Sequence, residues 1–279
     1  MITISAFGDE IAPDLATQMD VCEASGVKCI DVRGIDKVNV SQMPLEKVRE
    51  HRRQMDGRGF AVPCIGSPLG KIRMDEDFAA HLELLKRTCE IARAFGTDRI
   101  RVFSFYPSKG KKIAEERAAV MDRIGAMVKV AESAGAVLFH ENERDIYGAK
   151  TDGVKDIFAT VRSKALKGIF DPANFVAEGL RPFDQCWKAG LDVLTDYFHI
   201  KDLVAGAATC VPAGEGQGQI PEILADLASK AERNWTGYMT LEPHMSAGGQ
   251  FSGFTGPQLF AKAAAGLKRE LDRAGLKYG

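Results

Sequence analysis

Eight short runs rich in β-branched residues recur along the chain, each followed by a longer stretch with helical spacing, and this alternation constrains the fold most. The runs occupy residues 2–7, 27–32, 60–66, 99–105, 136–142, 167–171, 196–201 and 237–242. After the first, Leu15, Met19 and Cys22 recur at helical spacing and Gly26 supplies a C-terminal stop. Gly59, Gly96, Gly135 and Gly190 close later helical patterns in the same way. No Pro/Ser-rich tract or charge block divides the chain, so residues 1–279 are expected to form a single α/β domain with a parallel sheet. An open doubly wound sheet seldom needs eight units and usually carries a glycine-rich phosphate turn after its first strand. Here that strand runs into Gly8-Asp9-Glu10-Ile11, which lacks one. A closed (β/α)8 TIM barrel is the better expectation.

Charge and cysteine usage exclude several classes of partner. Lys and Arg number 37 against 38 Asp and Glu, so no excess of positive charge serves a nucleic-acid backbone. The opening MITISAFGDEIAPD has no basic start, and no stretch approaches the ~18 apolar residues of a membrane span. Neither nucleic acid nor membrane is expected as a partner. Cys22, Cys29, Cys64, Cys89, Cys186 and Cys210 are scattered without a CxxC pair, which reads as reduced thiols in a cytoplasmic protein.

In a barrel of this kind functional groups gather at the C-terminal ends of the strands. Strand five ends at Glu141-Asn142-Glu143, strand six at Asp171, strand seven at His199-Ile200-Lys201-Asp202 and strand eight at Glu242-Pro243-His244. Four consecutive strands thus end in a residue able to bind a metal. Alternation gives them a common direction, since Val137, Phe139 and Glu141 share one face, as do Ile169 and Asp171, Tyr197 and His199, and Thr240 and Glu242. Three carboxylates and an imidazole form a hard ligand set for one divalent ion. It suits Mn2+ first, then Mg2+ or Co2+, and accommodates Zn2+ or Fe2+.

The remaining chemistry-bearing residues carry weaker signals. His140 faces away from Glu141 and reads as helix-facing, whereas His244 can reach the site from the loop after strand eight. His51 and His81 sit in helical patterns and are expected at the surface. Trp187 reads as packing, and Phe7, Phe103, Phe105, Tyr106 and Phe175 offer an apolar wall near the strand ends. Gly66 to Lys71 is a tight loop with a basic tip that could hold a phosphate or a sugar oxygen.

These residues resemble the sugar phosphate isomerase/epimerase group of xylose isomerase-like TIM barrels, which includes ketose 3-epimerases, hydroxypyruvate isomerases and inosose dehydratases. The resemblance runs from about Ile4 to the C-terminal helix. It rests on residues 6–10, 67–71 and 101–105, Glu141-Asn142, Asp171-Pro172-Ala173-Asn174, His199-Ile200-Lys201-Asp202, Gly214-Glu215-Gly216 and Leu241-Glu242-Pro243. It implies one metal held by Glu141, Asp171, His199 and Glu242, with Glu141 and Glu242 also moving the proton, one from each face of a carbohydrate substrate. Two departures stand out. Many members carry histidine where this chain has Asn174, and the arginine that follows the strand-seven histidine in the epimerases has no counterpart between Leu203 and Ala213. Lys71, Arg101, Asn174 and Lys201 are the candidate replacement donors, with His244 beside them.

The leading expectation is a metal-dependent isomerase or epimerase acting next to a carbonyl of a sugar, sugar phosphate or keto-sugar. The alternative is a dehydratase of an inosose-like keto-polyol, in which the same proton is removed and a β-hydroxyl leaves. A nuclease related to endonuclease IV fits poorly, because its three metals need more histidines than the five present. Barrels of this group often assemble as homo-oligomers, and nothing in the sequence selects an interface.

Overall fold

Parallel strands alternating with helices account for the periodic pattern in a computed structural model, which describes residues 1–230, 235–246 and 253–279. In chain order the strands are β1 (Thr3–Phe7), β2 (Ile30–Asp31), β3 (Gly34–Ile35), β4 (Val38–Asn39), β5 (Arg99–Val102), β6 (Val137–Glu141), β7 (Leu166–Phe170), β8 (Thr195–Ile200) and β9 (Tyr238–Leu241). The helices are α1 (Leu15–Ala24), α2 (Leu45–Gly57), α3 (Phe78–Phe95), α4 (Arg117–Ala134), α5 (Thr151–Thr160), α6 (Pro172–Ala177), α7 (Ile220–Ser229) and α8 (Pro257–Arg273), with a π-helical segment at Pro182–Leu191.

Seven strands form one parallel sheet in the order β2-β1-β9-β8-β7-β6-β5. The third run, residues 60–66, closes the circle without becoming a continuous strand. Its strand pairing is limited to the isolated bridges Cys29↔Ala61, Val32↔Ile65 and Ile65↔Ile100. Pro63 lies in its middle and has no N–H to give to a ladder. Its carbonyl instead accepts from Thr97 Oγ1 at 2.7 Å. The result is a (β/α)8 barrel with seven regular staves and one irregular one, plus a short antiparallel hairpin, β3–β4, beyond β2.

Alternation along the strands separates two apolar regions. Cys64, Phe139, Ile169 and Tyr197 pack together inside the barrel. Leu138, Phe170, Phe198, Met239 and Leu241 point outward into the large core shared with the helices. Each such side chain contributes about 1.5–3 kcal/mol by leaving water. Trp187 is packing, as expected, with its ring centroid 5.5 Å from Phe170 and 5.6 Å from Phe198.

Two expectations need correction. Strand four stops at Val102, short of Phe105. The loop after the third run takes over its backbone partners, with Phe103 N donating to Leu69 O and Phe105 N to Gly70 O. Phe105 is left at φ 67°, and Gly70 at φ 90° is so close that a Cβ there would lie 2.0 Å from Phe103 O. His51 and His81 are not surface residues, since each is 6% exposed. The helices that carry them turn these rings inward, where His81 Nε2 accepts from Gly70 N at 2.8 Å and anchors that loop.

Burial, reinforced by the Arg123 charge, pushes the His81 imidazole down to about 4. An unfolded histidine titrates near 6.5, so below that pH the unfolded chain binds the extra proton first and stability falls as pH drops towards 4. Urea denaturation should show wild type losing up to roughly 3 kcal/mol more than His81→Gln across that window. Equal losses in the two proteins would remove His81 from the acid response.

Candidate metal centre

The alternation that fills the barrel also aims four strand-end residues at one point. Glu141 ends β6, Asp171 follows β7, His199 is the penultimate residue of β8 and Glu242 follows β9. One ligand atom from each lies within 4.8 Å of all the others, and all four residues are buried. His199 Nδ1 is 3.1 Å from Glu141 Oε1 and 3.4 Å from Glu242 Oε2, and Phe7 holds its ring edge-on at 5.1 Å.

Local chemistry fixes each position. Asp171 caps α6, its Oδ1 accepting from Asn174 N at 3.0 Å, and Pro172 takes the first helical position, where no N–H is missed. Asp171 Oδ2 remains turned towards the site. Asn142 ties strand ends β6 and β7 together, its side chain donating to Asp171 O and accepting from Asp171 N, each at 2.9 Å. After β8, Asp202 accepts from the backbone N–H groups of Leu203, Gly214, Gly216 and Gly218, folding the loop over the barrel. The Asp202 and Gly214-Glu215-Gly216 motif is therefore a loop clasp, and a Cβ at Gly216 would lie 2.3 Å from Asp202 Oδ1.

Buried cations hold the carboxylates together. Two like charges about 4 Å apart repel by about 4 kcal/mol at an effective dielectric constant near 20. Arg101 Nη1 lies 3.2 Å from Glu141 Oε2 and 3.6 Å from Glu242 Oε1, while Lys201 Nζ is 2.9 Å from Asp171 Oδ2 and 3.5 Å from Glu242 Oε2. Burial works against ionisation of Glu141, but His199 and Arg101 outweigh it and hold the carboxyl down at about 2. For Asp171 burial wins over Lys201, and the carboxyl rises to about 7. The donor set fits a divalent ion. Both ring nitrogens of His199 and Asp171 Oδ2 are buried without an aligned hydrogen bond, and a cation among them would satisfy these lone pairs together.

The candidate substrate donors divide into two groups. Asn174, Lys201 and His244 line a cavity of about 250 Å3 beside the quartet, together with Glu143, Arg144 and Cys210. Arg101 and Lys71 are committed within the protein, Arg101 as above and Lys71 to Glu143 Oε2 at 2.8 Å over the Phe103 ring. His140 faces the helices, its ring 6.5 Å from Phe158. The expected aromatic wall is partial. Phe7 lies between the guanidinium groups of Arg33 and Arg101, whereas Phe105 packs on Phe78 and Phe175 on Phe170 in the outer core.

Three site residues escaped the sequence reading, namely Asp9, Glu10 and Arg33. Arg33 follows β2 and donates to Asp9 Oδ2 at 2.8 Å, Glu10 Oε1 at 3.2 Å and Glu242 Oε1 at 3.0 Å. Glu10 is fully buried, and its side chain and carbonyl anchor His244 N, Thr255 and Gly256. His244 has φ 45°, and this left-handed backbone brings its Nε2 to 2.8 Å from Glu10 Oε1 and 3.5 Å from Glu242 Oε1. Both Arg33 and Glu10 obey the strand-end rule applied to the later strands, so that rule extended to β1 and β2 would have found them. Beneath the quartet, Asp31 accepts from Ser5, Tyr197 and Thr240 hydroxyls at 2.7–2.9 Å, a buried polar layer on the barrel axis.

No curated protein sequence matches the chain. Solved structures with the same fold include a D-tagatose 3-epimerase-like protein, with TM-score 0.78, 15% identity and 98% of each chain covered. Another is the probable 3-DHS dehydratase involved in petrobactin synthesis from Bacillus anthracis, with TM-score 0.74, 16% identity, and 96% of this chain and 99% of that one covered. A third, D-allulose 3-epimerase from Methylomonas sp. in complex with D-allulose, has TM-score 0.71, 13% identity, and 96% and 97% coverage. The family model for xylose isomerase-like TIM barrels matches residues 19–273, and the chain belongs to that family.

Proposed function

We propose that this protein is a divalent-metal-dependent isomerase or epimerase that moves a proton next to a carbonyl of a carbohydrate, a sugar, sugar phosphate or keto-sugar. The observation that carries the reading is the buried quartet of Glu141, Asp171, His199 and Glu242, with Glu141 and Glu242 oxygens 3.1 and 3.4 Å from His199 Nδ1. A bound ion supplies the Lewis acid that a barely acidic proton beside a carbonyl requires.

The protein's own groups do the rest. Arg101 holds the Glu141 and Glu242 carboxylates in one arrangement, so each keeps an oxygen facing the site. One of the two takes the substrate proton and the other returns one, and inversion follows when they act from opposite faces. Lys201 and Asn174 line the cavity, and their side chains are the donors this reading assigns to substrate oxygens, the work that the missing strand-seven arginine does in the epimerases. D-allulose bound to a barrel of the same fold supports a small carbohydrate as substrate.

A second reading, dehydration of a keto-polyol, draws on His244. Its imidazole lies beside Glu242 and the cavity, within reach of a leaving hydroxyl, and Glu10 steadies it. The dehydratase among the solved structures with this fold is consistent with that chemistry.

Two measurements test the proposal. Purified protein should bind about one divalent ion per chain, and Mn2+ at about a thousandfold over its Kd should add roughly 4 kcal/mol to the stability of the chelated protein. Glu242→Ala should fold, as judged by circular dichroism, and lose that stabilisation; retention of full metal content and activity would sink the ligand assignment. In D2O, a substrate that turns over should take up deuterium at the carbon next to its carbonyl. Turnover without exchange would exclude proton transfer, and a product lighter than its substrate by one water would select the dehydratase.

A further inference from the structure

Asp31, the last residue of β2, is buried inside the barrel one layer beneath the metal quartet. The interior of a (β/α)8 barrel is ordinarily filled by layers of bulky branched residues. Under Glu141 and Asp171 this layer is apolar, with Cys64, Phe139 and Ile169 packed together. Under His199 and Glu242 it is not. There a carboxylate and three hydroxyl-bearing residues, Ser5, Tyr197 and Thr240, are each at most 1% exposed. Exchanging a bonded polar cluster for apolar groups of the same shape is often nearly neutral for stability. Stability alone therefore gives no reason to keep a carboxylate here, and local rules of this kind are broken most often in support of a site.

The bonds run across the barrel. Asp31 Oδ1 accepts from Ser5 Oγ at 2.8 Å, and Asp31 Oδ2 accepts from Tyr197 Oη at 2.7 Å and Thr240 Oγ1 at 2.9 Å. Thr240 Oγ1 also lies 3.1 Å from Tyr197 Oη, which closes the cluster. The four residues sit on β2, β1, β9 and β8, which are consecutive in the sheet. One carboxylate thus joins four adjacent staves, where a ladder hydrogen bond joins two.

Two residues further on, about 7 Å towards the mouth, each of these segments delivers a side chain to the site. Tyr197 precedes His199 in this way, Thr240 precedes Glu242, Ser5 precedes Phe7 and Asp31 precedes Arg33. His199 and Glu242 belong to the quartet, Phe7 sets its ring edge-on to His199, and Arg33 donates to Glu242. A metal tolerates only about 0.2 Å of error in its ligand distances, so a small shift of a strand end is felt as lost affinity. On the opposite side of the barrel Asn142 makes the corresponding tie between the ends of β6 and β7.

We propose that Asp31 is a positioning residue for the metal centre. By holding Tyr197 and Thr240 it fixes the spacing of His199 and Glu242, and it thereby sets the affinity for the divalent ion. This rests on the reading that the quartet binds a metal, and wild type and variants test the two separately.

Mn2+ binding to the chelated protein, measured by isothermal titration calorimetry, is the readout, with urea denaturation of the metal-free protein beside it. Asp31→Leu should weaken Mn2+ binding roughly 10–100-fold, the range typical when a group that orients a metal ligand is lost. Asp31→Asn, which can accept from Tyr197 and Thr240 and donate to Ser5, should recover most of that loss. Tyr197→Phe and Thr240→Val each cut one arm and should weaken binding by less than Asp31→Leu; they decide the matter if Asp31→Leu does not fold. Thr195→Val removes a buried hydroxyl bonded to Leu191 O at the other end of β8, and should lower stability while leaving Mn2+ affinity unchanged. Lost stability with unchanged affinity in the Asp31, Tyr197 and Thr240 variants would make the cluster ordinary core and overturn the proposal. Asp31→Asn binding as weakly as Asp31→Leu would assign the effect to charge, and an equal loss in Thr195→Val would assign it to general loosening; either overturns positioning. Wild type that binds no Mn2+ would remove the metal reading itself, and the proposal with it.

Discussion

Negative charge crowded into the C-terminal mouth of the barrel is the constraint around which this structure is organised. Glu10, Glu141, Asp171 and Glu242 are all buried there, and Asp9 lies at the edge. Such a cluster is affordable only because Arg33, Arg101 and Lys201 are buried with it. Arg33 alone touches three carboxylates. Removing one partner of a buried pair leaves the other charge exposed to a low-dielectric interior, which typically costs 3–5 kcal/mol. The cations therefore set the shape of the mouth whether or not an ion is bound. Glu10 extends that order outward, since the chain around His244 and Thr255 is hung from its side chain and carbonyl.

The legible part of the molecule was the part written in periodicity. Strand runs separated by helical patterns implied the barrel, and period-two alternation implied that Glu141, Asp171, His199 and Glu242 converge. The structure brings them within 4.8 Å of one another. Less was legible where a contact spans the chain. Arg33 and Glu242 are 209 positions apart, and neither local spacing nor strand pattern pairs them. Run two also keeps only two residues of regular strand, so Arg33 sits past its end in a position that looks like loop. His81 misled for a different reason. A helical pattern gives the period of a face but not which polar residue is turned inward, and the donor that His81 serves, Gly70 N–H, belongs to a separate loop.

The departures from the epimerase pattern become intelligible once the cations are located. Asn174, in place of a histidine, donates to Asn142 O at 2.8 Å and stays within 3.4 Å of Glu141 Oε1, so it braces the strand ends as well as facing the cavity. Two guanidinium groups reach the mouth from other staves, Arg33 after β2 and Arg101 in β5, and both pair with protein carboxylates.

Arg33 and Arg101 both lie beside the irregular stave. Residues 60–66 lie between β2 and β5, the two strands that deliver Arg33 and Arg101, and pair with them through isolated bridges rather than a continuous ladder. The stave is nevertheless tied to the electrostatic brace of the mouth, because Arg101, which holds Glu141 and Glu242, also donates from its guanidinium to the Gly66 and Ser67 carbonyls at the stave's end. Phe7 lies between that guanidinium and the one of Arg33, so the irregular edge of the barrel and the cations of its mouth form one contiguous packing unit.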